Sequence, residues 1–289
     1  MMINGNICIA DALLHAVNEL SKNNTIETPR LDAEVLLCHI LKCDRVFLIV
    51  NKDKTLTDSE LTLFSEYINR RKENEPISYI TGFREFMSLD FNVSDGVLIP
   101  RPDTEIMVEK LIKKYEGKSV NFLDLCTGSG AIAVSLLYYL KDAKCTAVDK
   151  YDICVKTALE NGKKHGVHDR LTVVKDDILS GMDYNADYDC IVSNPPYIET
   201  KTLDTLSSDV KDYEPLYALD GGNDGLIFYR KITEYASKKL QNGGTLALEI
   251  GYNQGQSVKK ILEETNEFSS IEVFCDLAGL DRVIIAEKR

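Results

Sequence analysis

Apolar positions recur with a helical period over the first seventy-five residues. Segments 10–22, 29–42, 45–51 and 57–73 read as helices, and in the last of them Leu61, Phe64 and Ile68 fall on one face. Thr57 followed by Glu60 is a capping-box pattern, and Thr28-Pro29 opens the second helix with proline where its missing N–H costs little. The spacing predicts a small helical bundle over 1–75, and the Arg70–Lys72 run reads as a solvated helix end. Residues 76–105 change texture. MSLDFNV alternates apolar and polar and VSDGVLI supplies a turn, which predicts a β-hairpin connector before Pro100 and Pro102 halt the strand. A helix then starts within DTEIMVEKLIKKY.

From 120 onward short apolar runs alternate with helical ones. Strands are expected at 120–125, 144–149, 171–176, 187–194, 244–250, 271–276 and 282–288, with helices such as 131–141 and 152–166 between them. This rhythm predicts an α/β domain over 106–289 with a Rossmann-like, doubly wound parallel sheet. The LAGLD link is too short for a crossover helix, so the last strand pair should be antiparallel. Ligands of such sheets bind beyond the carboxyl ends of the strands, which is where chemistry is to be sought.

Composition narrows the class. With 289 residues, 44% hydrophobic and 28% charged, the chain can bury a sizeable core. No apolar run reaches the ~20 residues of a membrane helix. The first residues carry no basic region, and Asp11 interrupts their apolar stretch. A cytoplasmic protein without membrane association is expected. A net charge of −12 disfavours unaided grip on a phosphate backbone, so no direct nucleic-acid contact is expected. The eight cysteines are scattered with no C-x-x-C pair, and His165 and His168 lack convergent partners, so free thiols and no metal are expected.

The first strand end runs through LDLCTGSGAIA, where Gly128, Ser129 and Gly130 lead straight into a helix. Glycines there permit a sharp turn and close approach of a ligand to the backbone and helix N-terminus. Gly128-x-Gly130-x-x-Ala133 also satisfies the dinucleotide fingerprint. Asp149 ends the next strand, where an acid accepts hydrogen bonds from ribose hydroxyls. Asp176-Asp177 ends the third, placed to border an adenine or to form a surface loop. Together these residues indicate a nucleoside-bearing cofactor without choosing which.

Asn194-Pro195-Pro196-Tyr197 at the fourth strand end makes the choice. Two prolines remove two N–H donors and leave carbonyls facing outward. Hydride transfer has no use for this, whereas methylation of a planar NH2 group does. If the Asn194 side-chain oxygen and the Pro195 carbonyl each accept one N–H, the nitrogen lone pair is aimed at an incoming methyl, with Tyr197 stacked on the planar group. Positioning and fixed dipoles then supply most of the catalysis, with no strong general base.

With these residues in hand, the chain resembles the S-adenosylmethionine-dependent protein-(glutamine-N5) methyltransferases of the HemK/PrmC type, which modify bacterial peptide-chain release factors. The likeness spans ISYITGFREFMSLDFNVSDGVLIPRPDTE, DLCTGSGAIA, AVDK, SNPPYI, DYEPLYALDGGNDGLIFYRKI and LEIGYNQGQSV. It implies a class I S-adenosylmethionine-dependent methyltransferase sheet, and S-adenosyl-L-methionine as cofactor. Cys126, Thr127, Gly128, Ser129 and Gly130 would wrap its methionine end, Asp149 would bind its ribose, Asp177 would lie beside its adenine, and Asn194 would adjoin it. Asn194, Pro195, Pro196 and Tyr197 would hold the substrate glutamine of a Gly-Gly-Gln loop in class 1 release factors, with Asn194, Pro195 and Tyr197 catalytic. The helical domain would dock the release factor, the enzyme acting as a monomer. Arg101 and the PDTE helix start, with Phe83 and Phe86, would wall the cleft. The family usually has Gly where this chain has Cys126, a residue strained at positive φ and tolerated at negative φ.

Rival readings are a glutamine methyltransferase acting on a ribosomal protein, an N6-adenine nucleic-acid methyltransferase, an NAD-binding dehydrogenase and a non-enzymatic binding protein. The adenine enzyme would want a basic face, yet the first 80 residues carry nine Lys+Arg against twelve Asp+Glu. The dehydrogenase leaves Asn194-Pro195-Pro196-Tyr197 unexplained.

Overall fold

In the computed structural model, which describes residues 7–182 and 187–289, the N-terminal helical period becomes α1 (Ile9–Leu20), α2 (Pro29–Leu41), α3 (Arg45–Val50), α4 (Asp58–Lys72) and α5 (Ile77–Thr81). The first six residues of the expected helical domain lie outside the described residues. Ile9, Leu20, Leu36, Leu37, Phe64 and Ile68 form a shared core. The Thr57–Glu60 capping box is formed. The Arg70–Lys72 run is not a solvated end: Arg70 pairs with Glu75, Arg71 with Asp32 at 2.7 Å and Lys72 with Glu19 at 2.8 Å, tying α4 back onto α1 and α2. Helix α5 was not foreseen; its five residues are too few for a periodic signal, and Gly82 ends it in the left-handed region.

The chain divides after Gly82. Residues through Gly82 with Ser207–Tyr213 make one unit, and Phe83–Leu206 with Glu214–Arg289 make the other.

The second unit begins with a hairpin of β1 (Phe83–Phe86) and β2 (Leu89–Asn92), paired antiparallel. Its turn is at Met87–Ser88, one strand earlier than the sequence suggested; both residues have positive φ (51° and 58°), the pattern of a type I′ turn. VSDGVLI does turn, with Val97 N–H donating to the Ser94 carbonyl at 3.0 Å, but only after the hairpin. A 3₁₀ turn (Pro102–Thr104) then leads into α6 (Glu105–Tyr115). Next come β3 (Asn121–Leu125), α7 (Ala131–Tyr139), β4 (Lys144–Asp149), α8 (Asp152–Lys164), β5 (Leu171–Lys175) and β6 (Tyr188–Ser193). The short α9 (Ser208–Lys211) groups with the helical unit, after which α10 (Ile227–Lys239), β7 (Leu240–Glu249), α11 (Gly255–Glu264), β8 (Phe268–Cys275) and β9 (Asp281–Lys288) complete the chain.

The seven strands order as β5-β4-β3-β6-β7-β9-β8. β3 to β7 pair in parallel, and β9 alone runs the other way, antiparallel to both neighbours, β7 and β8. Alternate side chains feed two cores. Phe122, Cys145, Ala147, Cys190 and Val192 pack with α6 and α7 residues such as Leu111 and Leu136. Leu123, Leu125, Val148, Ile191 and Leu248 pack with Tyr229, Ile232 and Val258 of α10 and α11. The chain winds outward from β3 through β4 to β5 and returns to β6 on the other side of β3. The loops after β3 and β6 therefore diverge, opening a crevice at the carboxyl edge. All eight cysteines are unpaired, and among the described residues no helix is long and apolar enough to cross a membrane.

Candidate active site

The β3 exit is a turn held by backbone. Thr127 N–H donates to the Val148 carbonyl at 3.0 Å and Gly130 N–H to the Thr127 carbonyl at 2.8 Å. Cys126, Gly128 and Gly130 all have positive φ (59°, 56° and 79°), so Cys126 holds a conformation that suits glycine. Gly130 packs against α8, where a Cβ would lie 3.0 Å from that of Ala158, whereas a Cβ on Gly128 would meet nothing within 4 Å. Gly128 thus turns its open side outward. Asp149 accepts Gly128 N–H at 2.9 Å and Tyr151 N–H at 3.0 Å. Burial raises its carboxyl above the usual range while those N–H groups pull it back. Below the turn, fully buried Asp124 accepts the Thr127 hydroxyl at 2.6 Å.

The Cys126–Ser129 part of this turn and Asp149 border a cavity of about 370 Å³. Cys126, Thr127, Gly128, Ser129, Asp149 and Asp177 line it from β3, β4 and β5, and Asn194 and Pro196 from β6. Phe86, Arg101 and Thr104 complete the wall; Phe83, Gly130, Pro195 and Tyr197 do not line it. Asp177 caps the turn after β5 through Leu179 N–H at 2.9 Å and faces Lys150 at 3.1 Å. Burial pulls its carboxyl up, but these contacts hold it below the ordinary value. Arg101 is anchored by buried Glu214 at 2.5 Å, which connects IPRPDTE to the loop that opens Glu214-Pro215. Tyr217 of that loop stacks on Tyr151 with ring centroids 3.5 Å apart.

At the β6 exit Asn194 is half-buried, while Pro195 and Pro196 are buried. The Asn194 amide nitrogen donates to the Thr104 hydroxyl at 3.3 Å, and Thr104 donates to Glu249 Oε2 at 2.5 Å. Tyr197 turns its hydroxyl to Glu249 Oε1 at 3.3 Å. Its backbone is clamped by the Gln254 amide, which donates to the Tyr197 carbonyl at 2.9 Å, and by Gly221 and Gly225, where any Cβ would strike Tyr197 backbone atoms at 2.7 Å and 2.5 Å.

The sequence reading missed Glu249 and the specific part played by Thr104. LEIG and PDTE belong to the segments that carry the family likeness, but a carboxylate ending a core strand signals nothing until β7 is set beside β6. It also missed Asn161 of α8, whose buried amide donates to the Ser129 carbonyl at 2.8 Å and accepts Asn92 N–H at 2.8 Å, joining glycine turn to hairpin.

Comparison with known proteins gives the family. The family model described as the PrmC N-terminal domain matches residues 11–82, and that of the methyltransferase small domain matches 101–209. The release factor glutamine methyltransferase of Clostridium acetobutylicum is 42% identical over 280 residues, covering 96% of this chain and 98% of its own. That of Clostridium botulinum is 42% identical over 284 residues, covering 97% and 99%. Among solved structures, a methyltransferase from Pyrococcus furiosus shares the fold, with a TM-score of 0.54 at 19% identity over 76% of this chain and 98% of that one. The chain belongs to the release factor glutamine methyltransferase family.

Proposed function

We infer that this chain transfers a methyl group from S-adenosyl-L-methionine to the side-chain amide nitrogen of the glutamine in the Gly-Gly-Gln motif of class 1 peptide-chain release factors. The observation that carries the reading is that Asn194 and the Gly128 turn face one cavity from adjacent strand ends, β6 and β3. A planar amide presented at Asn194 lies beside a wall suited to a nucleoside-bearing methyl donor.

The residues present fit that donor. Gly128 offers open space where any side chain would intrude, and Asp149 keeps lone pairs beyond its two backbone contacts for ribose hydroxyls. Asp177 and Ile178 border the position for the adenine. Bound there, S-adenosylmethionine supplies an electrophilic methyl on a sulfonium. The chain's own part is positional. Asn194 Oδ1 and the Pro195 carbonyl each accept one substrate N–H, which fixes the amide plane and aims the nitrogen lone pair at the donor. Buried prolines with no N–H to offer keep that edge purely accepting. The helical unit docks the body of the release factor, and eight unpaired cysteines support a reducing cytoplasm.

The test is methylation of an unmodified class 1 release factor by the purified chain, mapped by peptide mass spectrometry. A methyl on the Gly-Gly-Gln glutamine is expected. Cofactor binding without methylation there would redirect the search to ribosomal-protein glutamines and then to adenine.

A further inference from the structure

A primary amide has nearly the same shape in its two flipped orientations, so shape alone cannot decide whether Asn194 shows a substrate its oxygen or its NH2. Hydrogen-bond polarity can. Strands β6 and β7 pair Ser193 with Leu248, which sets Asn194 and Glu249 side by side at the carboxyl edge. Thr104, from the turn before α6, lies between them; Thr104 is 4% and Glu249 1% exposed. An ionised carboxylate only accepts. While Glu249 is ionised, the single proton of the Thr104 hydroxyl is therefore committed to Glu249 Oε2 at 2.5 Å. Its oxygen is left as an acceptor, and the group of Asn194 that meets it at 3.3 Å has to be the NH2.

We propose that Thr104 and Glu249 are positioning residues for methyl transfer, a relay whose negative end fixes the Asn194 amide with Oδ1 toward the substrate. The relay rests on the reading of Asn194 given above. The Tyr197 hydroxyl donates to the second carboxylate oxygen at 3.3 Å, so both oxygens are engaged from the site side. The Tyr229 hydroxyl takes the Glu249 backbone carbonyl at 3.0 Å and leaves the carboxylate to the relay.

The polarity is reversible, which gives the relay a signature. Burial pushes the Glu249 carboxyl up to about 7, against the pull of the Thr104 hydroxyl, Arg282 and Tyr197 and with the push of Asp103. When a proton sits on Glu249, the carboxyl can donate to Thr104, the Thr104 proton is released toward Asn194, and the amide is free to flip. Its NH2 then opposes the N–H groups of the incoming glutamine. Turnover is thus present above the Glu249 titration and falls as pH drops through it.

The experiment measures single-turnover and steady-state methylation of an unmodified class 1 release factor by the full chain. Thr104→Val should lower kcat about tenfold with KM changed by less than about twofold, the loss of one hydrogen-bond partner acting on the transition state. Thr104→Ser should restore it. In an Asn194→Ala background Thr104→Val should add nothing, because the relay acts only through that amide. Glu249→Gln should lose the acid limb of the pH profile. Wild-type kcat in Thr104→Val, failure of Thr104→Ser to restore it at an unchanged melting temperature, a multiplicative loss on Asn194→Ala, or an acid limb that survives Glu249→Gln would each overturn the relay. Full activity in Asn194→Ala alone would instead overturn the role given to Asn194. Should Glu249→Gln fail to fold, the Thr104 pair and the double variant still decide.

Discussion

Asp149 accepts the N–H of Gly128 at 2.9 Å, so the carboxylate that ends β4 also holds the turn that ends β3. One residue thereby shapes the glycine turn and borders the cavity next to it. Asp149→Asn keeps the size but loses the charge, and one flip of the amide sets NH2 against the Gly128 N–H. Cofactor affinity should fall roughly tenfold to a hundredfold, the range for hydrogen bonds to a charged group. Isothermal titration calorimetry with the purified chain reads this directly. Unchanged affinity would restrict Asp149 to supporting the turn.

Gly128 and Gly130 separate the two demands on that turn. An alanine at 130 combines φ of 79° with a Cβ 3.0 Å from Ala158 Cβ and 3.1 Å from its Cα. Left-handed strain and overpacking together should cost roughly 2–4 kcal/mol of stability. An alanine at 128 carries the strain without the clash, but its methyl enters the open side. Gly130→Ala should therefore show the larger drop in melting temperature, and Gly128→Ala the larger loss of cofactor affinity relative to its loss of stability. Equal affinity losses would mean that nothing binds over Gly128.

What could be seen in the sequence was local or periodic. Thr57 and Glu60 are three residues apart, and the strand cores announce themselves by composition. The hairpin was legible but its turn was misplaced, because Met87 and Ser88 adopt left-handed angles without the Asn-Gly signal that usually marks them. Arg71 and Asp32 are 39 residues apart, and Thr104 and Glu249 are 145 apart. No spacing rule joins such pairs, and only the sheet order brings the second pair together. Asn194 was legible for the opposite reason, since its chemistry is concentrated in four consecutive residues.

The sign of φ at Cys126 was the question the sequence left open, and it is +59°. The side chain packs against the core on the α10 face and borders the cavity, and desolvation pushes its thiol up, toward the neutral form. Cys126→Gly relieves strain of about 1–2 kcal/mol but forfeits that packing and adds unfolded-chain entropy, so stability should stay within about 1 kcal/mol of the parent. Cys126→Val puts a β-branched residue at the same angles and should cost about 1–3 kcal/mol. Thermal unfolding of the two variants checks the pair; a Val variant as stable as Gly would mean the backbone relaxes to negative φ.

Asp124 carries a pH dependence of known sign. Burial raises its carboxyl from 3.8 to about 7, with the Thr127 hydroxyl pulling back and Asp149 pushing the same way. The folded chain binds this proton more tightly than the unfolded chain does. Its contribution is complete below the unfolded value and is lost as pH rises through about 7. Asp124→Asn keeps an acceptor for Thr127 without titrating. It should be more stable than the parent on the alkaline side, by a few kcal/mol at most, since each tenfold change in proton affinity is worth about 1.4 kcal/mol. The gap should close toward acid. Denaturant melts across the pH range test this, and a constant gap would exclude titration of Asp124 as the cause.

Asn194 bears the heaviest assignment. Its amide is held by Thr104 on one side and lines the cavity on the other, so truncation removes an acceptor without touching the core. Asn194→Ala should lower turnover on the order of 10²–10³-fold, as deletion of one preorganised transition-state partner does elsewhere. Melting temperature and cofactor affinity should stay close to those of the parent, because neither Asp149 nor the Gly128 turn depends on this side chain. Asn194→Asp is the sharper probe. A carboxylate still accepts, but beside Thr104 it competes for the proton that Glu249 now holds, leaving one of the two acids short of a donor. Activity should be low and should recover toward acid as one of the pair is neutralised, the reverse of the parent's slope. A profile parallel to the parent's would show that acceptance at this position is not what Asn194 contributes.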